Sequence, residues 1–155
     1  MPTPTYTPLA TYTVTGSADV QVVFSSIPNT YRDLVIVFNG TSSGDENLIP
    51  TFNGSGVDFT WIQMTTGISS NAGTNNSIGR VAGGSRTMGM LQIFDYAQTN
   101  KHKTFFVQTD VASQERRQIV ARWAQTTAIN SVGLAIRTGI TWSVGSTFAL
   151  YGIEA

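Results

Sequence analysis

Nine segments of five to eight residues, each rich in β-branched and aromatic side chains and separated by stretches containing Gly, Asn, Ser or Pro, constrain this chain most. They fall at Val20–Phe24, Asp33–Asn39, Ile49–Asn53, Asp58–Gln63, Met88–Asp95, Thr104–Thr109, Gln118–Trp123, Val132–Arg137 and Thr147–Ile153. Runs this short bury a face as strands and are too short to bury a stripe as helices. Alternation is sharpest late in the chain. Ile119, Ala121 and Trp123 share one face while Val120 and Arg122 share the other; Leu134 with Ile136, and Phe148 with Leu150, repeat the period of two. Asn39-Gly40 and Asn53-Gly54 read as turn dipeptides, because both residue types tolerate positive φ. The expected fold is all-β, a β-sandwich or barrel.

One stretch resists that reading. Ser113–Gln125 (SQERRQIVARWAQ) consists largely of good helix formers and would lay Ile119 and Trp123 on one helical stripe. A turn around Gln114–Arg117 leading into a strand is preferred, because the Phe105-Phe106-Val107 run before it needs a pairing partner. Two further regions carry no strand signal. Pro2, Pro4 and Pro8 crowd residues 1–10, and proline fixes φ and removes a donor, so this segment reads as an extended N-terminal arm outside the sheets. A frayed terminus is the plain alternative, while Tyr6 and Leu9 would give a clamping arm its apolar handles. Between Thr65 and Thr87, 16 of 23 residues are Gly, Ser, Thr or Asn. So long a loop in a small domain is either disordered or ordered against a partner, with Ile68, Ile78 and Val81 as the side chains available to touch it. Residues 11–155 otherwise form one domain, since a chain of 155 residues with 41% apolar content suits a single core.

Polarity here comes from hydroxyls and amides: 22 Thr and 14 Ser stand beside 18 charged residues, nine of each sign. A net charge of zero gives nucleic acid or an anionic membrane no field to follow. The basic set Lys101, Lys103, Arg116, Arg117 and Arg122 is modest, so no nucleic-acid partner is expected. Charge is uneven along the chain, −4 over residues 1–79 and +5 over residues 80–137, which would allow complementary docking between copies. The first residues lack the charge and apolar core of a secretory signal, and the longest apolar run, Leu34–Phe38, falls far short of a membrane helix.

Candidate chemistry is sparse. Without Cys there is neither a disulfide nor a thiolate metal site. His102 stands alone between two lysines, and Asp45-Glu46 lack the alternating acids of a calcium loop, so no metal is expected and those acids read as solvated turn charges. No nucleophile elbow, phosphate loop or dinucleotide fingerprint occurs, and no spacing singles out an acid pair; neither enzyme activity nor a cofactor is expected. Trp61, Trp123 and Trp142 could stack on sugar rings but read first as core or interface residues. The glycosylation patterns at Asn39, Asn53 and Asn75 are attributed to composition.

Ile27-Pro28-Asn29-Thr30-Tyr31-Arg32-Asp33-Leu34, leading into a strand, resembles the I-P-x-x-Y-x-D-L opening of small virion structural proteins of tailed phages, particularly phages of cyanobacteria and marine bacteria. Residues 145–153 (GSTFALYGI) resemble their closing strand. Residues 93–97 (IFDYA) followed by Lys103-Thr104 are similar to their middle strand pair, and Trp123 through Val132 to their W-x-x-x-x-A-I-x-S-I stretch. The likeness runs in order over residues 10–155 and departs at Thr65–Thr87.

The resemblance implies a single antiparallel, jelly-roll-like β-sandwich acting as a capsid decoration (cement) protein or as part of a tail fibre. A ten-residue arm on one domain, with no shaft, favours decoration: arm or loop grips the shell and the sandwich sits outside. The contact candidates are then Pro4, Tyr6, Pro8 and Leu9 in the arm, and Ile68, Ile78, Arg80, Val81 and Arg86 in or beside the loop. Implied partners are the major capsid protein and, by analogy, further copies in a homotrimer. The implied location is the capsid surface, after synthesis in the host cytoplasm. The alternative is a tail-fibre or receptor-binding module that recognises host surface glycans.

Overall fold

Strands with one apolar face need a second layer to cover it, and here each sheet covers the other. The computed structural model describes residues 5–16, 19–65, 69–74, 77–112, 115–137 and 139–154. In chain order the strands are β1 (Tyr6–Thr13), β2 (Gln21–Phe24), β3 (Asp33–Gly40), β4 (Glu46–Phe52), β5 (Phe59–Thr65), β6 (Ser69–Gly73), β7 (Gly79–Val81), β8 (Thr87–Phe94), β9 (Lys103–Val111), β10 (Glu115–Trp123), β11 (Val132–Ile136) and β12 (Thr147–Ile153). They form an eight-stranded sheet, ordered β1-β12-β3-β8-β9-β10-β5-β6, and a four-stranded sheet, ordered β2-β11-β4-β7. All neighbours are antiparallel. The architecture is a β-sandwich.

The inward residues follow the period of two. From the larger sheet come Leu34, Ile36, Phe38, Leu91, Ile93, Phe105, Val107, Ile119, Trp123, Phe148 and Leu150; from the smaller come Val22, Leu48, Phe52, Val81, Val132 and Leu134, all buried. Phe52 of β4 crosses the interlayer space to meet Phe59, Phe105 and Trp123 edge-on, with centroids 5.5, 5.2 and 5.4 Å away. At the other end Trp142 packs edge-on against Phe148 at 4.9 Å. Edge-to-face rings set the negative face of one against the positive edge of another, adding to their burial.

The four motif segments around Tyr31, Tyr96, Ile129 and Gly152 meet in space. Tyr31 lies flat over Gly152, where an added Cβ would stand 2.4 Å from the ring. The Arg32 N–H donates to the Ile153 carbonyl at 2.8 Å, and Asp33 pairs with Ile153 across the β3–β12 ladder. Buried Asp33 accepts the Asp95 N–H through Oδ1 at 2.9 Å and Arg32 Nε through Oδ2 at 3.0 Å. Tyr96, fully buried, donates its hydroxyl to the Pro28 carbonyl. Its backbone carbonyl takes the Ile129 N–H at 2.9 Å, and the Ile27 N–H reaches Asn130 at 2.9 Å. What these motifs encode is a joint that ties both sheets together.

All nine expected segments are strands, and the helical alternative over 113–125 gives way to β10. Of the turn expected at Gln114–Arg117, Glu115–Arg117 are strand instead and pair with Val111, Asp110 and Thr109, while Gln114 lies outside the described residues. Three strands were not expected. Residues 6–10 of the presumed arm belong to β1, which pairs with β12 along the sheet edge. An edge position tolerates Pro8, and the register slips between Pro8 and Ala10, so Leu9 is a bulge residue whose side chain packs against the core. The supposed 65–87 loop contains β6, paired with β5, and the three-residue β7, paired with β4 and carrying buried Val81.

Asn53-Gly54 is a two-residue turn with φ of 52° and 78°, closed by reciprocal Phe52–Ser55 hydrogen bonds of 2.8 and 2.9 Å. Asn39-Gly40 is not a turn but the end of β3. Gly40 is required there by close packing, as a Cβ would stand 2.7 Å from the Ser146 Cβ and 3.2 Å from Trp142.

Candidate functional site

The outward-facing side of the larger sheet is the chain's most unusual surface. The same alternation that buries Ile119 and Phe59 turns Val120 and Ile62 outwards, and the register sets them opposite each other. Val120 also stands opposite Phe106, so Ile62, Val120 and Phe106 form one apolar row across β5, β10 and β9. A neighbouring row runs Met64, Gln118, Gln108, Met90, Val37 over five strands. Ile62 is 62% exposed, Met64 64%, Val120 55%, Met88 49% and Val37 46%. Charge on this face is confined to Arg122 and the Arg116–Asp110 ion pair at 3.0 Å. Scattered exposed apolar residues are ordinary; here Ile62, Val120 and Phe106 are contiguous across three strands, while in the next row Gln118 and Gln108 part Met64 from Met90 and Val37.

The expected contact residues do not converge. Pro4 and Ile68 lie outside the described residues. Tyr6 and Pro8 are exposed on β1, at the far edge of the sheet. Ile78 and Val81 are 2% and 0% exposed and belong to the core, so neither can reach a partner. Arg80 pairs with Asp45 at 2.9 Å, and Asp45 also accepts the Gly83 N–H at 2.8 Å, so this acid is a loop fastener. Arg86 is exposed and reaches Asn39 Oδ1 at 3.3 Å. Among the described residues no group of three His, Asp or Glu side chains gathers as metal ligands would.

Lys103 leaves the basic surface set altogether. It shares the inward parity of Phe105 and Val107 and is fully buried. Its ammonium donates to the carbonyls of Gln98, Lys101 and Thr126, the last two at 3.1 and 2.9 Å, so all three N–H bonds are used. Burial, and secondarily Lys101, hold its pKa below the usual lysine value.

A second feature lies between the layers, where the inner face of β5 and β10 extends past the smaller sheet. Asn47, Trp61, Gln63, Ser77, Arg117 and Arg137 border a cleft of about 180 Å³. Trp61 shares the inward parity of Phe59 and leans over Gly73, where a Cβ would meet its ring at 2.7 Å. The Ser77 hydroxyl donates to Asn47 Oδ1 at 3.1 Å, and Gln63 Nε2 donates to Thr65 Oγ1 at 2.7 Å. Arg117 Nη2 stands 2.8 Å from Glu115 Oε1, yet Arg117 Nε is buried without a hydrogen-bond partner. The parity of Ile119 continued back along β10 lands on Arg117, a signal the sequence reading did not follow. Compared with protein-family models and with curated proteins, the chain matches none.

Proposed function

We propose that this protein is a non-enzymatic structural component of a tailed-phage virion, a decoration protein that binds the outer surface of the assembled head through the outward face of its larger sheet. The observation that carries the reading is the apolar row Ile62–Val120–Phe106 on that face, with exposed Met64, Met88 and Val37 around it. A flat, nearly uncharged face gains by apolar burial when covered, a force that salt hardly weakens. The fold supports the same reading. Leaving aside β5, β6, β9 and β10, the remaining strands alternate between sheets in the orders β1-β12-β3-β8 and β2-β11-β4-β7. Two interleaved Greek keys produce that order, so we read the sandwich as a jelly roll enlarged by two hairpins. The partners proposed are the major capsid protein and two further copies of this chain.

The test adds purified protein to heads that lack it. The variant carries Ile62→Glu and Val120→Lys, a cross-strand pair of opposite charges that spares the sheet. Occupancy is expected to fall about ten-fold or more, with an unchanged thermal melt. Unchanged occupancy removes this face from the proposal. Immunogold labelling of intact particles settles location: gold confined to tails, or absent, overturns head decoration.

A further inference from the structure

We propose that the cleft between β4, β5 and β10 is a binding site for a carboxylate-bearing sugar, such as a uronic acid unit of a glycan. The argument starts from what is left unsatisfied. Arg117 lines the cleft, is only 17% exposed on its side chain, and holds a buried Nε without a hydrogen-bond partner. A buried guanidinium donor without a partner is costly, and an incoming carboxylate supplies the missing acceptor in the fork geometry that arginine favours. Glu115, close to Nη2 but poorly aligned, leaves Nε open. Arg137 brings a second guanidinium to the rim, its backbone fixed by donation to the Asn47 carbonyl at 3.2 Å. Each guanidinium stands in a region with acids beside it, Glu115 at Arg117 Nη2 and Glu46 accepting from Asn47 Nδ2 at 3.2 Å, so the arginines serve as directed donors in a cleft whose charges balance.

The remaining groups specify more than an anion. Trp61 presents a ring held in place by Gly73, the kind of flat apolar wall on which the C–H face of a pyranose stacks. Gln63 Nε2 is engaged with Thr65, which leaves Oε1 as an acceptor for a sugar hydroxyl. Asn47, oriented by Ser77, is a second amide at the cleft. The volume of about 180 Å³ suits one sugar ring and excludes a folded peptide segment. A bare oxyanion would use the arginines without touching Trp61 or Gln63. This cleft lies on the inner side of the larger sheet, so it remains open when the outer side is covered, and it stands or falls independently of head decoration.

Tryptophan fluorescence reads the site directly, because Trp123 and Trp142 are buried in the core and Trp61 alone of the three borders the cleft. The full chain is titrated with sodium glucuronate at constant ionic strength, with glucose and sodium sulfate as comparisons. The expected result is a saturable change with glucuronate, Kd on the order of 1 mM, with little response to the other two. Arg137→Gln, a change at an exposed side chain, is expected to weaken binding about ten-fold, and Trp61→Phe to remove the signal while chemical-shift changes persist. A flat glucuronate titration, an equal response to glucose or sulfate, or full affinity in Arg137→Gln overturns the proposal.

Discussion

Replacing Gly152 with Ala, with and without Tyr31, tests whether the shared joint is built as described. The three atoms nearest an added Cβ all belong to the Tyr31 ring, at 2.4, 2.6 and 2.6 Å, so the ring lies flat on the glycine. A Cβ needs roughly 3.4 Å or more, so the ring must lift by about 1 Å or swing away, losing most of its packing. For a half-buried aromatic that loss is about 2 kcal/mol, offset by the ~0.5–1 kcal/mol that Ala gains over Gly inside a strand. Gly152→Ala alone should therefore cost about 1–1.5 kcal/mol, and Tyr31→Ala alone about 2 kcal/mol. In the double variant there is no ring left to displace, and only the benefit of Ala remains. Its cost should be about 1–1.5 kcal/mol, well under the sum of the single changes, for a coupling of about 2 kcal/mol. Urea unfolding followed by far-ultraviolet circular dichroism measures all four corners of the cycle. Additivity to within about 0.5 kcal/mol would falsify the stacked arrangement.

Two further substitutions probe the buried polar groups. Lys103→Met strands the carbonyls of Gln98, Lys101 and Thr126, at about 1 kcal/mol apiece, so a loss of roughly 3 kcal/mol is expected in urea melts. It should also change the pH profile. The folded-state pKa of Lys103 is depressed from 10.5, so between that lowered value and 10.5 the unfolded chain holds more protons and this group's contribution to stability rises with pH. The stability of the native protein minus that of Lys103→Met should climb through that window, and a falling difference contradicts the burial. Asn53 donates to Ala128 at 2.9 Å and accepts from Asn130 and Ser131 at 2.9 and 3.3 Å, all at a φ of 52°. Asn53→Ala should cost about 3–4 kcal/mol and Asn53→Gly about 1 kcal/mol less, since glycine keeps the left-handed backbone; equal melts for the two would deny the strain.

Sequence periodicity located the strands that bury an apolar face and failed where a strand is made by pairing alone. Phe105 and Val107, or Phe148 and Leu150, announce themselves because their partners across the layers are apolar too. β6 and β7 do not: β6 consists of hydroxyl, amide and small residues that extend the sheet by backbone pairing, and β7 is only three residues long, with Val81 its one apolar side chain. β1 was hidden by Pro8, whose missing donor is harmless only at an edge, and edges are decided by the whole topology. The Gly40 misreading is of the same kind: Asn-Gly has the chemistry of a turn, while the need for glycine came from Ser146, distant in sequence. Lys103 and Arg117 were readable in principle. Each continues an inward parity set by stronger residues, but a cation on an inner face is set aside unless its partners are known; those of Lys103 lie on loops, and Arg117 meets Glu115 two residues back on its own strand.

The place of β12 between β1 and β3 has a consequence for how the chain comes into being. On a ribosome β1 emerges long before β12, yet β12 is the one strand that β1 pairs with. Until Thr147–Ile153 arrive, β1 is unpaired, one edge of β3 is bare, and Phe38 waits for Phe148. The larger sheet is therefore completed only once β12 has emerged, by a long-range insertion that is slow compared with hairpin formation at β8–β9 or β9–β10. The chain spends that interval with an open sheet edge, and holding nascent copies apart becomes part of making it.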